Sequence, residues 1–281
     1  MTKKIYHRND ARPALIKMGL PARRIFMLIL AQIPRETARN NVLIKFDHNQ
    51  EFIIKISDYA QLCDIDQAAA YRQLVEGVEE LRGYVLRPEN GLLKKSDPNL
   101  PKDWIEPFTI ADRGTGYSKG EGFVKVKLAE EITPLISALK DSFTGQFLVS
   151  AMRLPEGNAG KLYLILREWI SGGYLCEKIV LFSDFLELLG LTNTKNYSSY
   201  PTFRQAFFLR SIKKIIDKTE FTDIKMEISE KRARKAYRLK ISYEYKETEQ
   251  PTKAEQAPKP EEEQTETIKY VVINGRHHLK N

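Results

Sequence analysis

A run of hydrogen-bond donors between residues 195 and 235 is where this chain could do chemistry. Lys195, Asn196, Ser198, Ser199, Thr202, Arg204, Gln205, Arg210, Lys213 and Lys214 come first, then Lys231, Arg232, Arg234 and Lys235. Arginine can be bidentate to guanine O6 and N7, while lysine more often meets phosphate. Such groups hold a polyanion and read base edges; none of them breaks a bond.

The elements that must position these donors are legible. An apolar strand, 178–182, leads into a short helix, 184–191. A polar turn, 192–199, precedes a basic helix over 200–218, and two strands, 222–229 and 237–245, flank a basic tip. Strand, helix, turn, helix and hairpin, in that order, is the pattern of a winged helix. Its second helix enters the major groove N-terminal end first, which puts 195–202 nearest the bases and leaves the hairpin tip for backbone phosphate. In the helix, Phe208, Ile212 and Ile215 centre an apolar face, widened by Phe207, Leu209 and Ile216. Arg210, Lys213 and Lys214 point away from it. For the tip, edge-strand protection by charge is the blander explanation, but four cations in five residues favour DNA.

The same order occurs upstream, in a weaker copy. Helix 20–33 begins at Pro21 with Arg23 and Arg24 in its first turn, candidates for phosphate contact or for a solvated helix start. Strand 51–56 is followed by helix 58–63 capped by Ser57, the turn 64–66, and a helix from the cap Asp66 to about Leu81. Tyr71, Leu74, Val75, Val78 and Leu81 predict its buried stripe, and Gln67, Arg72 and Gln73 are its polar candidates for DNA. Segments 104–112 and 122–128 are expected as wing arms. The second copy opens with a helix over 129–139, a strand or short helix at 145–154, and an amphipathic helix at 158–170.

Charge follows this organisation. The net charge is +8 over 281 residues. Residues 1–40 hold nine Lys/Arg against two acids and residues 200–246 hold thirteen against six, so each zone is +7. Two basic zones on a near-neutral body predict a polyanion held at two places. An apolar content of 42% suffices for ordinary cores. Cys63 and Cys176 are expected buried and reduced, as in the cytoplasm. No apolar h-region opens the chain, and no apolar run approaches the roughly 20 residues of a membrane span.

Catalytic patterns fail. The loop 113–122 is glycine-rich, but Lys119 precedes Gly120 and a strand follows, unlike a phosphate-binding loop. His7, His48, His277 and His278 form no His-x-His pair, so neither a metal site nor a relaxase centre is expected. No Ser/His/Asp or Cys/His arrangement is visible. We therefore expect a binder without a cofactor rather than an enzyme.

Several motifs in order resemble the plasmid replication initiators of iteron-controlled, theta-replicating plasmids. They are Lys161-Leu-Tyr-Leu-Ile-Leu-Arg-Glu-Trp169, Phe182-Ser-Asp-Phe-Leu-Glu-Leu-Leu-Gly-Leu191, Tyr200-Pro-Thr-Phe-Arg-Gln, Ile212-Lys-Lys-Ile-Ile-Asp-Lys-Thr-Glu-Phe221 and Tyr237-Arg-Leu-Lys-Ile241. The similarity spans roughly residues 10–246. It implies an α+β chain of two tandem pseudo-symmetric winged-helix (helix-turn-helix) domains that straddle adjacent major grooves of a directly repeated double-stranded site. Monomers would bind the repeats and help open an AT-rich segment where the host replication initiator and replicative helicase assemble; self-paired dimers would repress their own gene. The expected division is 1–127 (backbone contact and dimerisation), 128–246 (main base readout) and a disordered acidic tail, 247–281, with an apolar island at 268–273. The 88–122 insertion departs from the family pattern. A tandem winged-helix transcription regulator is the competing reading, and a catalytic relaxase or nuclease the third.

Overall fold

The computed structural model describes residues 3–38, 41–44, 46–86, 108–137 without 113 and 119, 139, 143–247 without 156, 270–273 and 276–279. β1 (Lys4–Arg8) and α1 (Arg12–Lys17) open the chain. α2 (Leu20–Gln32) carries Pro21 in its first turn, where a backbone N–H would be unpaired anyway. It is buried from Ala22 to Ala31, as a helix apolar on nearly every face must be. β2 (Arg35–Ala38) and β3 (Asn41–Ile44) form a hairpin.

The first copy then follows. β4 (Glu51–Lys55) runs into α3 (Ile56–Cys63), and α4 (Gln67–Gly83) comes after a tight turn. β5 (Val85–Leu86) pairs with β6 (Phe108–Thr109). β7 (Gly116–Tyr117) pairs with β8 (Phe123–Lys127), and β8 with β4, giving the sheet order β4-β8-β7. The expected arm 104–112 meets the end of the other arm at an antiparallel Ala111–Leu128 bridge, with Asp112 N–H donating to Lys127 C=O at 2.8 Å. β7 at 116–117 supplies the strand paired within the sheet; residues 104–107 fall outside the described set, as do 88–107 of the insertion. Asp66 caps α4 as its sequence predicts, accepting from Ala69 N–H at 2.7 Å. Ser57 does not cap α3: the helix starts one residue before it, and its hydroxyl turns to Asp58.

The buried face of α4 also differs from the expected stripe. Ala70, Leu74, Gly77, Val78 and Leu81 are buried, Val75 is half-buried, and Tyr71 remains 39% exposed. The cause is Gly77: a Cβ there would stand 2.7 Å from Ile25 Cδ1 and from the Pro21 backbone. Small residues let α2 and α4 approach closely, so the contact centres on them and rotates the tyrosine outward.

The expected helix over 129–139 shortens to α5 (Thr133–Ile136). Residues 145–154 supply both expected forms in succession, β9 (Phe143–Phe147) and then α6 (Leu148–Arg153). β9 pairs antiparallel with β1, Lys4 opposite Phe147, and α6 packs on α2 and α3. α7 (Gly157–Ser171) is buried on most faces.

β10 (Glu177–Leu181), α8 (Phe182–Leu188), α9 (Tyr200–Phe203), α10 (Leu209–Lys218), β11 (Phe221–Arg232) and β12 (Lys235–Tyr245) form the second copy. Its sheet order, β10-β12-β11, repeats that of the first. The repetition extends to side chains. Ile53 lies opposite Lys125, which reaches Glu51 at 3.8 Å; Ile179 lies opposite Lys240, which reaches Glu177 at 2.6 Å. α3 and α8 even end alike, on left-handed residues. Asp64 (φ 56°) precedes Ile65 N–H bonding Ala60 C=O at 3.1 Å, and Gly190 (φ 67°) precedes Leu191 N–H bonding Leu186 C=O at 2.8 Å. Cys63 is buried as expected, but Cys176 is exposed, because it lies in the connection between α7 and β10.

The tail contributes a separate hairpin of β13 (Tyr270–Ile273) and β14 (Arg276–Leu279); residues 248–269 lie outside the described set. Among the described residues no helix is long and apolar enough to cross a membrane.

Candidate nucleic-acid interface

An aromatic cluster holds the N-terminal end of the second copy's basic helix. Phe203 stacks on Phe207 with centroids 5.2 Å apart, Phe182 and Phe185 lie against Phe203, and Tyr197 meets it edge-on. The helix is not one regular α-helix. Residues Arg204–Phe208 form a single wide π turn between α9 and α10. Across that turn Phe203, Phe207, Phe208, Ser211 and Ile215 are all buried. Leu209, Ile212 and Ile216, expected on the apolar face, are half-buried at its edges.

What remains outside is polar. Thr202, Gln205, Arg210 and Lys213 are exposed, whereas Arg204 and Lys214 are half-buried. Arg204 lies against Tyr200, whose phenol is pushed up by burial and partly held down by that guanidinium. In the turn, Lys195, Asn196, Ser198 and Ser199 are exposed, and the Ser198 hydroxyl donates to Lys195 C=O at 2.8 Å. That bond stiffens the approach to α9.

The wing is the long hairpin β11–β12. Its tip turns through Ala233 (φ 46°) and Arg234 (φ 64°), the double left-handed turn that suits hairpin twist. Lys231, Arg232, Arg234 and Lys235 are all exposed. Arg232 is anchored: its Nε donates to Glu230 at 3.0 Å and its guanidinium lies 3.5 Å from the Tyr237 ring centroid. Lys231, Arg234 and Lys235 make no ion pair with any described residue, which leaves their charge available to an outside anion. Arg238, passed over in the sequence, is exposed beside them on β12. The alternation with buried Leu239 and Ile241 would have placed it there.

The first copy presents fewer of its expected residues. Gln67 and Arg72 are exposed on α4. Gln73 is turned inward, its Oε1 accepting from Arg24 Nη1 and from the Tyr59 hydroxyl, each at 2.9 Å. Arg23 and Arg24 are corrected outright: they are 6% and 3% exposed. Arg24 Nη2 donates to Leu154 C=O at 2.9 Å, and burial pulls Arg23 down to about 10. They bind the fold together and do not reach solvent. Among the described residues no group of three or more His, Cys, Asp or Glu could hold a metal ion.

Comparison with known proteins agrees with this geometry. Residues 4–167 match the family described as initiator replication protein, WH1, and residues 182–243 match initiator Rep protein, WH2. The PI protein of Escherichia coli is 29% identical over 257 residues, covering 85% of this chain and 82% of that protein. A crystal structure of Pi initiator protein in complex with iteron DNA superposes with a TM-score of 0.73 at 27% identity, over 88% of this chain and 98% of that one. With both winged-helix halves matched in order, the chain belongs to the initiator replication protein family.

Proposed function

We propose that this chain initiates plasmid replication by binding directly repeated sites, the iterons, in double-stranded DNA. The observation that carries the proposal is the pairing of an exposed polar helix face (Thr202, Gln205, Arg210, Lys213) with an unpaired basic wing tip (Lys231, Arg234, Lys235) in one copy of a twice-repeated unit. Lys195, Asn196, Ser198, Ser199, Thr202 and Gln205 approach base edges. Arg210 reads a base, and Lys213 and the wing tip meet phosphate. A relative solved with iteron DNA supports this ligand and weighs against a transcription regulator without a replication role. The chain acts by binding rather than by catalysis, in the cytoplasm. Bound monomers open an adjacent segment for the host initiator and helicase, and self-paired copies repress their own gene.

The division between halves is best placed between α7 and β10, rather than at 127/128. The β1–β9 pairing and the reach of the WH1 match to residue 167 support that placement.

The test is selection of bound duplexes from a random library, then footprinting at two salt concentrations. The proposal expects direct repeats and a site near two helical turns, protected on one face. A lone inverted repeat, or no enrichment at all, would overturn it.

A further inference from the structure

The two copies present different chemistry from the same position. In both, the helix after the turn lies beside a hairpin in a sheet of the same order. Yet α9–α10 shows arginines and lysines, while the outer face of α4 begins with Gln67, Ala68, Tyr71 and Arg72, with Val75 half-buried behind them. Ala68, Tyr71 and Val75 fall at i, i+3 and i+7, a short apolar stripe on the solvent side. Behind the cap Asp66, the first two turns of α4 hold one cation and no acid, and the next carboxylate is Glu76. The N-terminal end is the one a reading helix inserts, and the cap Asp66 ahead of it has its carboxylate engaged by Ala69 N–H at 2.7 Å.

Within a major groove, apolar side chains match one feature only, the 5-methyl group of thymine, and a glutamine amide matches adenine N6 and N7. We propose that the first copy reads A·T pairs, with Ala68 and Tyr71 against thymine methyls, Gln67 on adenine and Arg72 on the backbone, leaving guanine to Arg210 in the second copy. The inference rests on the DNA-binding reading above and specifies the bases that reading left open. It also accounts for the exposure of Tyr71, a residue that its spacing alone would have buried.

The experiment uses the full chain and its selected duplex, with thymines replaced one at a time by uracil. This removes the methyl group and keeps the base pairing. One or two positions under the first copy should weaken binding about fourfold, the worth of one buried methyl-sized group. Tyr71→Ala should make binding insensitive to at least one of them. Gln67→Ala, a second and milder variant, should abolish sensitivity to 7-deazaadenine while keeping the uracil effect. If the duplex is bound over two turns but no uracil under the first copy matters, the base assignment is wrong and the initiator reading stands. If no duplex is selected, both fail. If Tyr71→Ala leaves DNA binding intact but changes oligomeric state, the stripe is an interface between copies and the proposal is overturned.

Discussion

The carboxylate of Glu220 accepts a hydrogen bond from the Arg167 guanidinium at 3.2 Å, with both side chains out of solvent. The Ser150 hydroxyl donates to the same carboxylate at 2.7 Å and the Tyr163 hydroxyl at 3.2 Å, while Arg167 Nε donates to Gly145 C=O at 2.9 Å. Glu220 stands at the corner where α10 ends and β11 begins. The pair therefore fixes the angle between reading helix and wing to β9, α6 and α7, elements continuous with the first copy.

Removing one partner of such a pair leaves a buried charge without compensation, typically a loss of about 3–5 kcal/mol. Glu220→Ala should show that loss in urea unfolding, and Glu220→Gln, which keeps hydrogen bonds to Ser150 and Tyr163, should lose less. A loss within about 0.5 kcal/mol for Glu220→Ala would mean that water reaches the corner.

His7 gives the chain an acid-sensitive point. It is fully buried, its Nδ1–H donates to Arg8 C=O at 2.9 Å, and its Nε2 accepts from the Gln146 amide at 3.2 Å. Both contacts suit the neutral ring, since a carbonyl can only accept. Burial pushes its pKa down to about 4 from 6.5. With a depressed folded value, its contribution is present above 6.5 and lost as pH falls toward 4. The loss should reach about 3 kcal/mol. Burial raises Glu168 and Glu220 instead, and their contribution runs the other way, largest below the ordinary carboxylate value of 4.5 and lost as pH rises through their folded values. Urea midpoints from pH 7 to pH 4 should fall in the wild type and flatten in His7→Gln. Equal slopes for the two proteins would assign the acid sensitivity elsewhere.

The order of elements and the second copy's exposed cations were legible because local signals carry them: caps, turns, alternating strands and helical spacing. What escaped depends on partners far along the chain. Arg24 donates to Leu154 C=O, and β1 pairs with β9, which nothing near residue 4 or residue 24 announces. Gly77 reads in sequence as a weak helical residue, but against α2 it decides which face of α4 is buried. The wide turn at 204–208 was equally hidden, since Phe203, Phe207, Phe208 and Ile215 share one face of a regular helix as well, and nothing in their spacing marks the extra residue.

The wing tip holds backbone strain that can be measured. Ala233 and Arg234 both adopt positive φ, and an alanine in the left-handed region costs roughly 1–2 kcal/mol. Asparagine and glycine are the residues this turn prefers. Ala233→Gly should raise stability by about 1 kcal/mol, seen as a rise in Tm of about 2–4 °C. Because no cation is touched, the salt dependence of DNA binding should stay unchanged.

Arg210 and Lys235 separate base reading from backbone holding. Arg210 lies on the outer face of α10, and Lys235 at the wing tip. Loss of a base-reading arginine should cost about 1–3 kcal/mol on the selected site and relax preference at one position. Loss of a phosphate contact should weaken all sequences alike and lower the slope of log K against log salt by about one. Arg210→Ala and Lys235→Ala, titrated on specific and scrambled duplexes at several salt concentrations, should therefore fail differently. Arg210→Ala narrows the gap between the two duplexes, whereas Lys235→Ala moves both together. Identical, sequence-blind losses would place Arg210 on the backbone and move base reading to the turn, where Lys195 and Asn196 stand exposed ahead of α9.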